Sequence, residues 1–109
     1  IELGCGAGYV SSWMARRDGQ DVGIDPAANQ LKTASRFEEQ YQLGIEFVEG
    51  FCEALPVPDS CFDFAISEYG ASLWANPFRW IPEASRVLKT GGRLVFYDRS
   101  RFCGMLCPR

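Results

Sequence analysis

Apolar positions along the chain come in short runs separated by turn residues. Ile1-Glu2-Leu3 reads as the end of a first strand running into closely spaced glycines. Val10, Trp13, Met14 and Arg17 share one side of a helix over residues 10–17, which Asp18-Gly19 ends. Val22-Gly23-Ile24 predicts a short buried strand that stops at Asp25. Asp25-Pro26 opens a second helix, with Asp25 as N-cap and Pro26 at the first helical position. Leu31, Ala34, Phe37 or Glu38, and Tyr41 keep helical spacing until Gly44. Residues 45–48 predict a third strand. Residues 51–60, with Pro56, Pro58 and Asp59, predict a loop, and 62–67 a fourth strand. Asn76-Pro77 signals a last helix reaching about Lys89. A proline inside it would cost about 3 kcal/mol, so the firm start is expected near residues 79–81, with Pro82 in the first turn. Thr90-Gly91-Gly92 predicts a turn and 93–97 a fifth strand, whereas 100–109 show no clear period.

Strands and helices that alternate in this way specify an α/β fold, a doubly wound parallel sheet of Rossmann-like type with helices on both faces. The strands are short continuous apolar runs, as strands covered on both sides require.

The stretch ELGCGAG, residues 2–8, then lies between the first strand and the first helix, at the carboxyl end of the sheet where ligands bind in open α/β folds. Glycine there lets a ligand approach the backbone closely. The spacing is G-x-G-x-G, with Tyr at position 9 where a dinucleotide fingerprint carries its third glycine. Glu2 beside the turn would repel a pyrophosphate and suits a ligand bearing an ammonium or a sulfonium. Asp25, ending the second strand, is placed to accept hydrogen bonds from ribose hydroxyls.

Composition narrows this picture. The 109 residues suit one domain at most, and 47% hydrophobic with 23% charged residues is an ordinary globular balance. The net charge is −3 and the basic residues are scattered, which disfavours nucleic acid as a partner. No apolar run approaches the ~20 residues that span a bilayer, so no membrane partner is expected. Histidine is absent, so the commonest general base is unavailable. The five cysteines (Cys5, Cys52, Cys61, Cys103 and Cys107) are odd in number and irregular in spacing, which argues against a disulfide framework and a zinc site. Reduced thiols fit a cytoplasmic protein. The first residue is Ile, not Met, so a true N-terminus is expected to lie upstream.

ELGCGAG, VGIDP, VEGFCEALPVPDSCFDFAIS and EASRVLKTGGRLVF, in that order over about residues 1–98, resemble a class I S-adenosylmethionine-dependent methyltransferase of the small-molecule type 11 or 25, UbiE-like group. The resemblance implies that Glu2, Gly4, Cys5, Gly6 and Gly8 form the turn under the methionine part of S-adenosylmethionine. It implies that Asp25 holds the ribose, that Pro26 lies against the adenine, and that Phe51 and Cys52 flank it. Ser67 and Glu68 would border the methionine part and the substrate entrance. Phe51 stands where the family often has Asp, leaving adenine to backbone contacts at Cys52 and to packing; Thr90 stands where it often has Pro. The resemblance also implies a terminal antiparallel hairpin and helices before the first strand. These are missing, so the chain reads as one truncated domain over residues 1–109 with strands one to five.

Within SEYGASLWANPFRW, residues 67–80, Tyr69 and Trp74 are the candidates to line a substrate pocket, and Phe78 and Trp80 are expected in the core. Glu68, Tyr69 and Asp98 sit at or just past strand ends, but none is singled out as a general base. The expected activity is methyl transfer to a small molecule, with no metal. A nicotinamide-dependent dehydrogenase, or a non-catalytic interaction module with the same fold, are the alternatives.

Overall fold

The computed structural model describes residues 1–17 and 19–97. Asp18, Asp98, Cys103, Cys107 and the aperiodic stretch 100–109 lie outside the described residues. Among the described residues nine elements follow one another: β1 (Glu2–Leu3), α1 (Tyr9–Ala15), β2 (Val22–Asp25), α2 (Ala28–Tyr41), β3 (Glu46–Glu49), β4 (Phe62–Glu68), α3 (Ala71–Trp74), α4 (Pro77–Val87) and β5 (Leu88–Tyr97). All strand pairs are parallel and the sheet order is β3-β2-β1-β4-β5. The order reverses between β1 and β4, the crevice where ligands enter open α/β sheets. The registers Leu3↔Ile24, Asp25↔Glu49 and Glu68↔Tyr97 bring the strand ends to one edge.

The main core gathers Leu3, Ile24, Cys52, Leu55, Ala65, Trp80, Ala84 and Val87. Trp80 is 2% exposed and meets Phe96 edge to face, with ring centroids 5.6 Å apart. Phe78, also expected in the core, is 89% exposed. Helix α4 begins at Pro77, with Asn76 capping it through a 3.0 Å bond from the Phe78 amide. Trp80, Ala84 and Val87 therefore occupy the inward stripe, and Phe78 points out.

This early start corrects the expected placement of Pro82, which lies inside the helix rather than in its first turn. Its missing N–H frees the Phe78 carbonyl. Both residues are on the exposed side, where water can replace the lost bond.

Other boundaries shift for similar reasons. Helix α1 buries Ser11, while Trp13 is 58% exposed, so the expected apolar side at Val10, Trp13, Met14 and Arg17 does not face the core. The first residue of α2 is Ala28 and its N-cap is Ala27, which corrects the assignment of Asp25 as cap. At its far end the helix is capped by Gln42 in the left-handed region, two positions before Gly44, which is left-handed as well. The expected Thr90-Gly91-Gly92 turn is absorbed into β5 as an irregularity. There the register jumps from Phe62↔Leu88 to Phe64↔Arg93, with Gly91 at φ 83°.

Candidate functional site

The glycine turn is held from below by β2. The Gly4 and Cys5 amides both donate to the Ile24 carbonyl, at 2.8 and 2.9 Å, and the Gly8 amide donates to Cys5 at 2.8 Å. Two buried carboxylates complete the frame. Asp25, 8% exposed, accepts from the Gly6 amide at 2.9 Å with one oxygen and from the Ala27 amide at 2.8 Å with the other. Glu2, 4% exposed, accepts from the Ser11 amide at 3.0 Å and the Ser11 hydroxyl at 2.8 Å through a single oxygen. The amides of Gly4, Cys5, Gly6, Gly8 and Ser11 are thus engaged within the protein.

The three glycines have different neighbours. At Gly6, φ 53°, an added Cβ would meet nothing closer than the Gln30 side-chain oxygen at 3.9 Å, so this face of the turn is open. At Gly4, φ 78°, a Cβ would lie 2.7 Å from the Gly70 Cα. At Gly8 it would strike the Phe47 ring on β3, also at 2.7 Å. Of the three, only Gly6 has open space where a side chain would stand. Gly8 seats the start of α1 against β3, the packing role that the sequence pattern had not assigned to it.

Burial dominates the electrostatics. It pushes the Glu2 carboxyl up to about 7, against the two Ser11 hydrogen bonds, and the Glu68 carboxylate adds to the push. Because the ordinary value is 4.5, the folded protein keeps a proton on Glu2 that the unfolded chain has already released. The contribution of Glu2 to stability is therefore fully present below pH 4.5 and is lost as pH rises towards 7. Glu2→Gln should flatten the fall in unfolding free energy across that window in denaturation curves at several pH values. An unaltered slope would assign it to other groups.

The remaining sequence-predicted residues divide by exposure. The Cys5 side chain is buried towards Gly23, where a Cβ would come 3.0 Å from its sulfur. Cys52 is fully buried in the core, so only its backbone can face a ligand. Burial pushes the Cys52 thiol up to about 12 and raises that of Cys5 further. Pro26 is half-buried past the end of β2, and Phe51 is 64% exposed where it bridges to Ala54. Ser67 is buried and Glu68 exposed at the end of β4. Tyr69 follows at φ 49°, its amide donating to the Tyr97 carbonyl at 2.8 Å and its ring edge-on to that of Tyr97 at 5.1 Å. Trp74, on α3, is 48% exposed.

A cavity of about 800 Å3 opens elsewhere, among the amino ends of the strands, lined by Ile1, Met14, Asp21, Glu46, Phe64 and Lys89 among others. It contains none of the turn, and it lies at the opposite end of the strands from the carboxyl edge where open α/β sheets bind ligands.

Residues 1–96 match the model of the methyltransferase domain family. The chain belongs to this family. It is 37% identical over 106 residues to the 2-phytyl-1,4-naphtoquinone methyltransferase of Nostoc, covering 93% of the chain and 46% of that protein. It is 31% identical over 96 residues to a ubiquinone biosynthesis O-methyltransferase of Maricaulis maris, covering 87% and 38%. Among solved structures, the YcgJ protein of Bacillus subtilis superposes with a TM-score of 0.81 at 29% identity, over 87% of this chain and 41% of that one. The chain spans less than half the length of each. The fold of this methyltransferase domain is that of the class I S-adenosylmethionine-dependent enzymes, as the sequence resemblance implied.

Two residues of the candidate site carried no assignment from the sequence. Ser11 was counted only as a helix position, yet it is the partner that fixes Glu2. Gly70 closes over Gly4 from the end of β4. Its signal was a glycine two residues past the end of a strand, which also marks many turns of no functional consequence.

Proposed function

We propose that the protein transfers a methyl group from S-adenosylmethionine to a small-molecule acceptor. The observation that carries this reading is the use of the turn's amides. A dinucleotide needs free backbone N–H groups aimed at its pyrophosphate. Here five amides of the turn and first helix are already bonded, two of them to carboxylates. The turn therefore presents an open glycine backbone above acidic groups, a setting suited to a cationic, phosphate-free ligand. It disfavours the dehydrogenase alternative.

The residues fit the methyl donor. Asp25 uses one lone pair on each oxygen for Gly6 and Ala27, and each oxygen keeps another for a ribose hydroxyl. Gly6 leaves room for the methionine part, and Pro26, Phe51 and the Cys52 backbone stand where the adenine would lie. Ser67, Glu68, Tyr69 and Trp74 would border the acceptor.

The bound donor supplies a methyl group on a positively charged sulfur, a leaving group that needs no acid. The protein's part is then to align the acceptor and exclude water. Tyr69, fixed by its amide bond and its contact with Tyr97, would serve that alignment. The names of the quinone-methylating relatives make hydroxylated rings the first acceptors to test.

Asp25→Ala should weaken binding of S-adenosylhomocysteine by about 1.5–3 kcal/mol, the scale of lost charged hydrogen bonds. Calorimetric titration of both proteins measures it, and equal affinities would remove the ribose assignment. NAD serves as the control: a melting-temperature rise with NAD and none with S-adenosylhomocysteine would reverse the choice of cofactor. Binding without turnover on any acceptor would favour the non-catalytic alternative.

A further inference from the structure

The loop between β3 and β4, which carries Phe51 and Cys52, is tied to α4 by one side-chain pair. The Arg86 guanidinium donates to the Leu55 carbonyl at 3.0 Å, the Val57 carbonyl at 3.0 Å and the Asp59 carboxylate at 2.6 Å. Its Nε donates to Glu83 at 2.6 Å. Glu83 in turn accepts from the Leu55 amide at 2.8 Å. Leu55 is thus held at both its N–H and its C=O by residues one helical turn apart. The loop's far end is fixed to the same helix by the Ser60 and Cys61 amides, which donate to the Arg86 and Val87 carbonyls. Its near end is fixed to the ribose-side strand by the Gly50 amide, which donates to the Asp25 carbonyl at 3.2 Å.

We propose that Glu83 and Arg86 are positioning residues for the cofactor site: from α4 they set the course of the 51–60 loop, and so the place of the Phe51–Cys52 backbone beside the adenine. The naming of the ligand rests on the methyl-donor reading; the control of the loop does not. Only a forked, planar donor set reaches two carbonyls and two carboxylates together. Asp59 is mostly exposed, so its ion pair adds little; the carbonyl contacts of Arg86 and the Leu55 amide bond of Glu83 shape the loop.

Cysteine labelling tests the loop separately from the ligand. Cys52, within the loop, is fully buried, Cys5 is buried in the glycine turn, and Cys61 is exposed. The intact protein and its Arg86→Ala, Arg86→Lys and Glu83→Ala variants are treated with a thiol-alkylating reagent without ligand, and each site is followed by mass spectrometry. Cys61 should react alike in all four. Cys52 should react at least about tenfold faster in Arg86→Ala and Glu83→Ala, because local opening exposes a thiol that is otherwise protected, while Cys5 stays slow. Arg86→Lys should not restore protection. S-adenosylhomocysteine should bind those variants about tenfold more weakly, the scale of reordering a loop on binding. Unchanged Cys52 rates would overturn the proposal, as would equal acceleration of Cys5, which signals general unfolding, or full rescue by lysine. Faster Cys52 labelling with unchanged affinity would overturn the link to the ligand. If the wild type itself does not bind S-adenosylhomocysteine, the cofactor reading fails, and the labelling rates still decide whether the pair controls the loop.

Discussion

Gly70→Ala should destabilise the protein by about 3 kcal/mol or more, as overpacking against backbone cannot relax by a change of rotamer. The added methyl would press on the Leu3 and Gly4 carbonyl oxygens and reach the Gly4 Cα at 3.0 Å. These atoms end β1 and begin the glycine turn, so relief of the clash must move the turn itself. The reciprocal change, Gly4→Ala, would meet the Gly70 Cα at 2.7 Å and the Ala71 amide nitrogen at 2.8 Å, and would also force a side chain into a backbone at φ 78°. Thermal and denaturant unfolding of Gly70→Ala measures the cost. A wild-type melting point would show that the chain crosses β1 with more room than this contact allows. The same variant should lose S-adenosylhomocysteine binding under conditions where it is still folded, because the atoms nearest the added methyl are those that lead from β1 into the turn.

Trp80→Ala should cost about 3–5 kcal/mol, the range for truncating a large aromatic side chain in a packed core. The ring is 2% exposed, lies on the inward stripe of α4 with Ala84 and Val87, and makes the edge-to-face contact with Phe96 on β5. Two small neighbours on that stripe leave little to collapse into the cavity. Phe78→Ala, on the same helix, should change stability by no more than about 0.5 kcal/mol, because its ring is 89% exposed. The pair makes a sharp test of the helix orientation by urea denaturation. Comparable losses for the two variants would mean that α4 presents a different face to the sheet.

The two aromatics show how far a sequence can be read here. Both fall in one stretch and both looked like core residues, because aromatic content says that some face is buried and not which one. The choice depends on where α4 starts, and that start depends on whether Pro82 can sit inside a helix. It can, because the carbonyl it leaves without a partner is on the solvent side, a fact about the helix's neighbours. Asp25 makes the same point at the site. As a carboxylate next to a proline it looked like a helix cap. In the fold it reaches across to Gly6, a partner 19 residues away in the chain, and the helix begins later without a side-chain cap.

Local signals alone placed the five strands and the helices α1, α2 and α4 in order, the parallel sheet, the glycine turn after β1 and the carboxylate at the end of β2, but not the single-turn helix α3. Those signals are short apolar runs, glycines and prolines at element ends, and an acidic residue at a fixed place in the strand–turn–helix unit. It took the packed fold to reveal that Ser11 bonds to Glu2, that Gly8 accommodates Phe47, that Gly70 closes on Gly4, and that Arg86 bonds to a loop nearly thirty residues earlier. Each of these joins residues from separate elements, and their distance is set by the packing of the sheet and its helices, which no local pattern of polar and apolar positions encodes.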